Sequence, residues 1–156
     1  MEYITALRDS LKKKLRILEE ISNLSKLQSE LLTAEELDYE AFDKLVDDKD
    51  VCIEKIEELD EGFELVYKRV EEELKDHKGQ YKDLISQMQE LISKITEQST
   101  SIQALEERNR QAVTNAINRD RRAISEGKRS VNVAMNYYRN MNGFNVPNSQ
   151  YLDKKN

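Results

Sequence analysis

The sequence has few of the residues that form turns. Its 156 residues include no tryptophan, one proline and four glycines. Sandwiches, barrels and doubly wound sheets need a turn about every ten residues, so this scarcity argues against all three. Few connections in a chain of this length imply long elements, and a composition rich in Ala, Glu, Lys, Leu and Arg is typical of long helices.

Three other features are missing. No run of about 18 apolar residues occurs, so we expect no membrane insertion. The residues after Met1 do not form a basic stretch followed by an apolar core, so we expect no signal peptide. The single cysteine, Cys52, excludes an internal disulfide. Together these absences predict a cytoplasmic protein.

Charge is abundant and unevenly distributed. Residues 35–76 carry 18 acidic and 6 basic side chains, whereas residues 108–156 carry 3 acidic and 10 basic ones. Such asymmetry is found in nucleic-acid-binding arms and in proteins with acidic partners. We favour a third interpretation, two surfaces of one protein with different roles, because the whole chain has a net charge of −6.

The apolar residues predict three long helices. From residue 4 to 32 they recur in steps of three or four, as on one face of a helix. The stretch 33–36 has the form of a capping box, and Asp38 offers a second N-cap. A second helix is predicted over 39–76, with Gly62 as a tolerated glycine or a mild kink. Gly79 suits a left-handed helix end.

The third stripe is the longest. It begins at Tyr81, meets its first breaker at Gly127 and continues as a shorter apolar pattern to Met141. We therefore predict an all-α fold, an antiparallel three-helix bundle with long helices and an extended C-terminal helical segment. The predicted parts are a bundle core over 1–117, an amphipathic segment over 118–141 and a flexible tail over 142–156.

The predicted helix lengths do not match. At 1.5 Å per residue the helices would be roughly 45, 57 and 70 Å long. Because helix three runs back alongside helix two, its residues beyond about 117 would extend past both neighbours. Residues 117–141 nevertheless keep apolar side chains, and an uncovered amphipathic segment either binds a partner or stays mobile.

Catalytic chemistry finds little support. His77, the only histidine, falls in a polar turn, and with Glu73 it would supply two metal ligands where a functional site needs three or more. Cys52 lies near an apolar stripe with no histidine to act as its base, so we interpret it as a core residue. No enzyme activity, metal or cofactor is predicted.

The basic C-terminal part has two interpretations. Arginines such as Arg119, Arg121 and Arg122 would suit phosphates, but they point around the helix without interleaved aromatic residues. A protein partner is favoured over nucleic acid. Tyr137, Tyr138 and Met141 form a compact patch of the kind that suits adaptable protein interfaces.

The long third helix and its tail resemble those of a known protein family. Leu105, Asn109, Val113 and Ala116 are similar to the Leu/Asn/apolar spacing in the last helix of the flagellar export chaperone FlgN family. The Tyr137-Tyr138 patch, Gly143 and the ending over 149–155 resemble family members from Gram-positive bacteria.

The resemblance implies a cytosolic chaperone. Its expected partners are hook-associated clients of the FlgK/FlgL type and the flagellar export apparatus. A client helix would lie in a groove of the chaperone, with anchors at i, i+3, i+4 and i+7. The predicted partner-binding residues are Asn109, Val113, Ala116, Ile117, Ile124, Val131, Tyr137, Tyr138 and Met141.

Other hypotheses stay open at this point. The sustained heptad-like spacing also fits a structural coiled-coil protein that self-associates. The related FliT chaperone family is a further candidate, although its chains are usually shorter. A nucleic-acid adaptor would require salt-sensitive binding to DNA or RNA.

Overall fold

The computed structural model describes residues 2–119, and within that range it contains three helices and no strand. They are α1 (Glu2–Leu32), α2 (Tyr39–Asp76) and α3 (Lys82–Arg119). The predicted all-α three-helix bundle is confirmed. None of the three helices has an apolar stretch long enough to cross a membrane.

Each helix contributes to two compact units. Unit 1 contains residues 2–19 and Glu54–Ser99, and unit 2 contains Glu20–Ile53 and residues 100–119. The predicted division at residue 117 concerned the C-terminal segment, most of which lies outside the described residues. The two units therefore subdivide what the sequence analysis treated as one bundle core.

The core of unit 1 is mostly apolar and includes large aromatic side chains. The rings of Phe63 and Tyr67 on α2 stack with their centroids 6.2 Å apart. Burying apolar area at about 25 cal/mol per Å² makes this core the main stabilising contribution of the unit. Its buried apolar residues are Ile4, Leu7, Leu11, Leu18, Phe63, Tyr67, Val70, Leu74, Tyr81, Met88, Ile92 and Ile95, with Ile56 beside them.

The core of unit 2 mixes apolar and polar side chains. All three helices place polar residues inside it, which is uncommon because a buried polar group must find a hydrogen-bond partner. Its apolar members are Ile21, Leu32, Leu37, Phe42, Val46, Cys52, Ile102, Val113 and Ala116, and its polar or charged members are Ser22, Ser25, Gln28, Lys49, Glu106 and Asn109.

Polar contacts define the helix directions within unit 1. Arg69 of α2 lies over the ring of Tyr3 on α1, and Asp60 of α2 accepts from Lys14 of α1. Residue numbers fall along α2 as they rise along α1, so these two helices are antiparallel. In unit 2, Ser25 and Ser29 of α1 contact residues 106 and 109 of α3, so α1 and α3 are parallel there.

Asp38 caps α2. Its carboxylate accepts a hydrogen bond from the backbone N–H of Ala41 at 3.0 Å, as an N-cap side chain does. The capping box predicted to start at Thr33 is wrong. The Thr33 hydroxyl instead donates to the carbonyl oxygen of Glu30 at 2.7 Å, so Thr33 completes the end of α1.

Gly62 and Gly79 differ in how well the predictions hold. Helix α2 continues through Gly62 from Tyr39 to Asp76. Gly79 does not adopt the predicted left-handed conformation, since neither glycine in the described part of the chain has a positive φ. The connection between α2 and α3 closes instead by hydrogen bonds from the N–H groups of Gln80 and Tyr81 to the carbonyl of His77.

Candidate functional site

The last turns of α3 within unit 2 contain four of the predicted partner-binding residues, and three of them are buried. Asn109, Val113 and Ala116 are each no more than 2% exposed. The Asn109 amide donates to the backbone carbonyl of Ser25 at 3.0 Å, and its carbonyl oxygen accepts from the Ser29 hydroxyl at 2.7 Å. These side chains are covered by the chain itself.

This burial changes the interpretation of those three residues. The sequence analysis placed them on a surface for another protein, because their spacing marks one face of a helix. In the structure that face is turned toward α1, where the buried Asn109 amide finds an acceptor in the Ser25 carbonyl and a donor in the Ser29 hydroxyl. We therefore assign Asn109, Val113 and Ala116 to the core of unit 2.

Ile117 and Arg119 mark the end of the described part of α3. Ile117 is half-buried. The Arg119 guanidinium donates to the carbonyl oxygen of Ala34 at 3.3 Å. Because Ala34 belongs to the connection between α1 and α2, α3 has reached the level of that connection by residue 119.

The other five predicted anchors lie outside the described residues. They come from the predicted amphipathic segment over 118–141, and the predicted tail over 142–156 is also outside. The five are Ile124, Val131, Tyr137, Tyr138 and Met141.

A buried polar network was missing from the sequence predictions. Lys49 of α2 forms an ion pair with Glu106 of α3 and donates to Gln28 of α1 at 2.5 Å. The Ser25 hydroxyl donates to the same Glu106 oxygen. Lys49 is 0% exposed and Glu106 is 4% exposed, so the pair is shielded from solvent screening. The network joins all three helices of unit 2.

Burial changes the acid–base behaviour of Lys49. Removing the ammonium from water lowers the pKa of Lys49 to about 8, and the negative charge of Glu106 opposes this effect without cancelling it. The second carboxylate oxygen of Glu106 is buried without a hydrogen-bond partner. Unpaired buried groups of this kind cost stability.

Unit 1 has one comparable pair. The Lys14 ammonium donates to the Asp60 carboxylate at 2.8 Å, and Lys14 is 1% exposed while the Asp60 side chain is 20% exposed. Burial lowers the pKa of Lys14 and raises the pKa of Asp60. This pair bridges α1 and α2.

The candidate catalytic residues occupy structural positions. Cys52 is buried in the core, as predicted. His77 is exposed in the turn after α2. Glu73, the acid considered with His77 as a metal ligand, instead accepts a hydrogen bond from the Tyr81 hydroxyl at 2.6 Å. Within residues 2–119 no group of three His, Cys, Asp or Glu side chains is arranged to hold a metal ion.

Comparison with known proteins gives one match. No curated protein sequence and no solved structure is significantly similar to the chain. The family model described as FlgN protein matches residues 1–142, which is most of the 156 residues. This is a family of flagellar export chaperones and not of enzymes. The chain therefore belongs to the FlgN family, to which its sequence showed a resemblance.

Proposed function

We propose that this protein is a cytosolic export chaperone of the Gram-positive FlgN type for hook-filament junction proteins of the FlgK/FlgL type. It covers the amphipathic C-terminal helices of these clients, prevents their premature association and delivers them to the flagellar export apparatus. Membership of the FlgN family supports the general role. The clients and the binding surface are the finer part of the proposal.

The main support for where the binding surface begins is the position of Arg119. Its contact with Ala34 places residue 119 level with the turn that joins α1 and α2. Beyond that point unit 2 has no further turns of α1 or α2 to lie alongside α3. The sequence nevertheless keeps apolar side chains to Met141. A client helix would supply the apolar contacts that these side chains need.

The proposed surface begins at Ile117 and consists of the anchors that the core of unit 2 does not use. Each anchor would insert between residues one helical turn apart on the client. Ordering of either partner on binding would offset about 2–5 kcal/mol of the interaction energy. The anchors are Ile117, Ile124, Val131, Tyr137, Tyr138 and Met141.

A truncation series tests this surface. The full chain, a chain ending at residue 141 and a chain ending at residue 119 would be titrated with the C-terminal helical segment of a FlgK-type client by isothermal calorimetry. We expect the chain ending at 141 to bind like the full chain and the chain ending at 119 to lose binding. Circular dichroism provides the control, because the shortest chain keeps all three described helices.

One result would contradict the proposed surface, and a second would require a different test. Unchanged affinity of the chain ending at 119 would show that the client binds elsewhere. A loss of helix content larger than removal of the predicted segment over 118–141 explains would show that α1, α2 and α3 need residues 120–156 to fold. The paired substitution Tyr137→Ser with Tyr138→Ser would then replace truncation as the test of binding.

The alternative function is self-association, which was suggested by the heptad-like spacing of the apolar residues. The heptad-like spacing is used within each unit to pack the three helices against one another, so it gives self-association no independent support. Sedimentation across a range of concentrations separates the hypotheses, since a structural coiled coil requires a tight oligomer and the proposed chaperone role does not.

A further inference from the structure

A surface depression of about 450 Å³ lies between α1 and α2 in unit 1. Its apolar members are half-buried, and its charged members are exposed around the rim. Three of the four charged groups are cations, although the chain as a whole is acidic. The lining residues are Ile17, Leu59, Lys13, Arg16, Lys55 and Glu58.

The three cations of the depression have no partners of opposite charge. Within the described residues, Lys13, Arg16 and Lys55 form no ion pair, whereas four other lysines on the helix surfaces pair with a carboxylate four residues away. At that spacing Lys55 has only Val51 and Leu59. Asp9 lies four residues before Lys13 but pairs with Arg8, and Glu20 lies four residues after Arg16. The lining therefore carries three cations and one carboxylate around an apolar floor, and this net positive charge attracts carboxylates.

One face of α2 leads from the depression toward Arg69. Glu58, Gly62, Leu65 and Arg69 follow one another in steps of four, three and four, so they share one face of the helix. Glu58 lines the depression, and Arg69 lies 6.0 Å from the centre of the Tyr3 ring on α1. The part of the face between them, with Gly62 and Leu65, is therefore also directed toward α1.

This part of the face is open. Leu65 is 64% exposed, the largest fraction for a large apolar side chain among residues 2–119, and Tyr3 is 50% exposed. A Cβ atom built on Gly62 would have no heavy atom within 4 Å. The depression and this face together, here called the basic groove, extend from Lys55 to Arg69, which is about 21 Å or four helical turns.

We infer that the basic groove docks an acidic amphipathic helix of a partner protein. Apolar side chains of that helix would cover Ile17, Leu59 and Leu65, and its carboxylates would face the rim cations. The groove belongs to unit 1, whereas the proposed client surface begins at Ile117. The inference therefore gives the protein a second binding surface and does not depend on the first.

Charge favours this occupant over two others. Residues 120–156 of the same chain contain seven basic and three acidic side chains, so they would be repelled by the rim. A second copy bound groove to groove would bring the same cations into opposition. An acidic helix instead gains attraction at each rim position, and this attraction weakens with salt.

A designed peptide tests the inference directly. The probe is a fluorescein-labelled helix of about 14 residues with leucines at i, i+3, i+4 and i+7 and glutamates on both flanks. Its binding to the full chain would be measured by fluorescence anisotropy. A shuffled peptide of identical composition separates amphipathic docking from general attraction between charges. We expect the ordered peptide to bind at least about tenfold more tightly than the shuffled one.

Two pairs of variants locate the binding. Lys13→Glu with Lys55→Glu should weaken peptide binding at least about tenfold, whereas Lys82→Glu with Lys94→Glu makes the same charge change on α3 and should have little effect. Gly62→Met should block the groove, whereas Gly62→Ala should leave it open. Thermal unfolding of every variant checks that unit 1 remains folded.

Several outcomes would overturn the inference. These are equal binding of the ordered and shuffled peptides, equal effects of the two charge-reversal pairs, and equal binding by the two Gly62 variants. A dimer that Gly62→Met dissociates would assign the groove to a second copy. Displacement of the probe by a synthetic peptide of residues 120–156 would assign it to the chain's own C-terminal part.

Discussion

Lys49 of α2 and Glu106 of α3 form an ion pair in the core of unit 2, where neither side chain is more than 5% exposed. The attraction between two buried charges must offset the loss of hydration of both, and the offset is often incomplete. The pair also fixes which turns of α2 and α3 lie opposite one another, because a shift of either helix would leave both charges unpaired. Its main contribution is therefore to helix register, with little net gain in stability.

Removing one member of this pair should be costly. Lys49→Met leaves the Glu106 carboxylate buried without its counter-ion, and breaking a buried pair in this way costs about 3–5 kcal/mol. We expect a loss of that size in the free energy of unfolding, measured by urea denaturation. Lys44→Met is the matched control, since Lys44 lies on the same helix with its side chain 78% exposed. It should change stability by less than about 0.5 kcal/mol. Similar losses for both variants would show that the Lys49–Glu106 pair has no special cost.

Replacing both members should restore stability. In the variant with Lys49→Met and Glu106→Met, two unbranched apolar side chains occupy the space of the pair and no buried charge remains. Replacement of buried ion pairs in this way is often neutral or stabilising by about 1–4 kcal/mol. The free energy of unfolding of the double variant, measured by urea denaturation, should therefore equal or exceed that of the wild-type protein. A double variant as unstable as Lys49→Met would mean that the pair stabilises the fold directly.

The apolar pattern predicted the three helices because their faces are long and regular. Helix α2 was predicted over about 39–76 and is observed over Tyr39–Asp76. The core of unit 2 was predicted less well, because an apolar criterion selects leucines. In the second half of α1 the apolar residues that fit the steps of three or four include Leu24 and Leu27. The structure buries Ser25 and Gln28 instead, and Leu27 is 47% exposed.

A signal for these polar core positions was present in the spacing. The buried residues of α1 follow steps of alternately three and four from Ile4 to Ile21, and the same steps lead next to Ser25 and Gln28. In packed helices the buried positions repeat with the same spacing over the whole length, whether the residues there are apolar or polar. Extending the register from the clearly apolar half would have identified the polar half of the core.

The candidate site was harder to predict for a different reason. Asn109, Val113 and Ala116 were predicted to bind a partner, and the structure buries them within the chain. A periodic pattern shows that a face is covered, but the chain itself and a partner bury the same kind of face. Only the position of α1 opposite these residues decides that the cover is intramolecular.

Asn109 can be tested for its two assigned roles. Asn109→Ala removes the donor to the Ser25 carbonyl and the acceptor of the Ser29 hydroxyl, so we expect a loss of about 1–3 kcal/mol in the free energy of unfolding. At a temperature where the variant is folded, its affinity for the client segment should equal that of the wild type. A variant with unchanged stability and weakened client binding would show that Asn109 contacts the client and is not a core residue.

The stability of unit 2 should depend on pH through Lys49. Because burial lowers the pKa of Lys49 from 10.5 to about 8, the folded protein releases this proton near pH 8 and the unfolded chain keeps it to about pH 10.5. Between these values the unfolded chain binds more protons, so the contribution of Lys49 to the free energy of unfolding rises with pH. Below pH 8 both states hold the proton, and the full cost of burying the ammonium is present.

The measurement compares the wild type with the variant carrying Lys49→Met and Glu106→Met at pH 7, 8, 9 and 10. Groups common to both proteins, including the Lys14–Asp60 pair, cancel in the difference. We expect the stability of the wild type relative to the variant to be constant below pH 8 and to increase above it. A difference that does not change with pH, or that decreases, would contradict the lowered pKa.

Gly62 offers a substitution that should stabilise the protein. A glycine inside a helix costs about 0.8–1.0 kcal/mol relative to alanine, and the added methyl group of Gly62→Ala would meet no heavy atom within 4 Å. We expect a gain of up to that size, measured as a higher urea midpoint with an unchanged slope. Ala6→Gly, at an exposed position within α1, is the reverse control and should lose a similar amount. No gain at Gly62 would mean that residue 62 leaves the helical conformation in solution, and the face that Gly62 shares with Leu65 and Arg69 would then not be continuous.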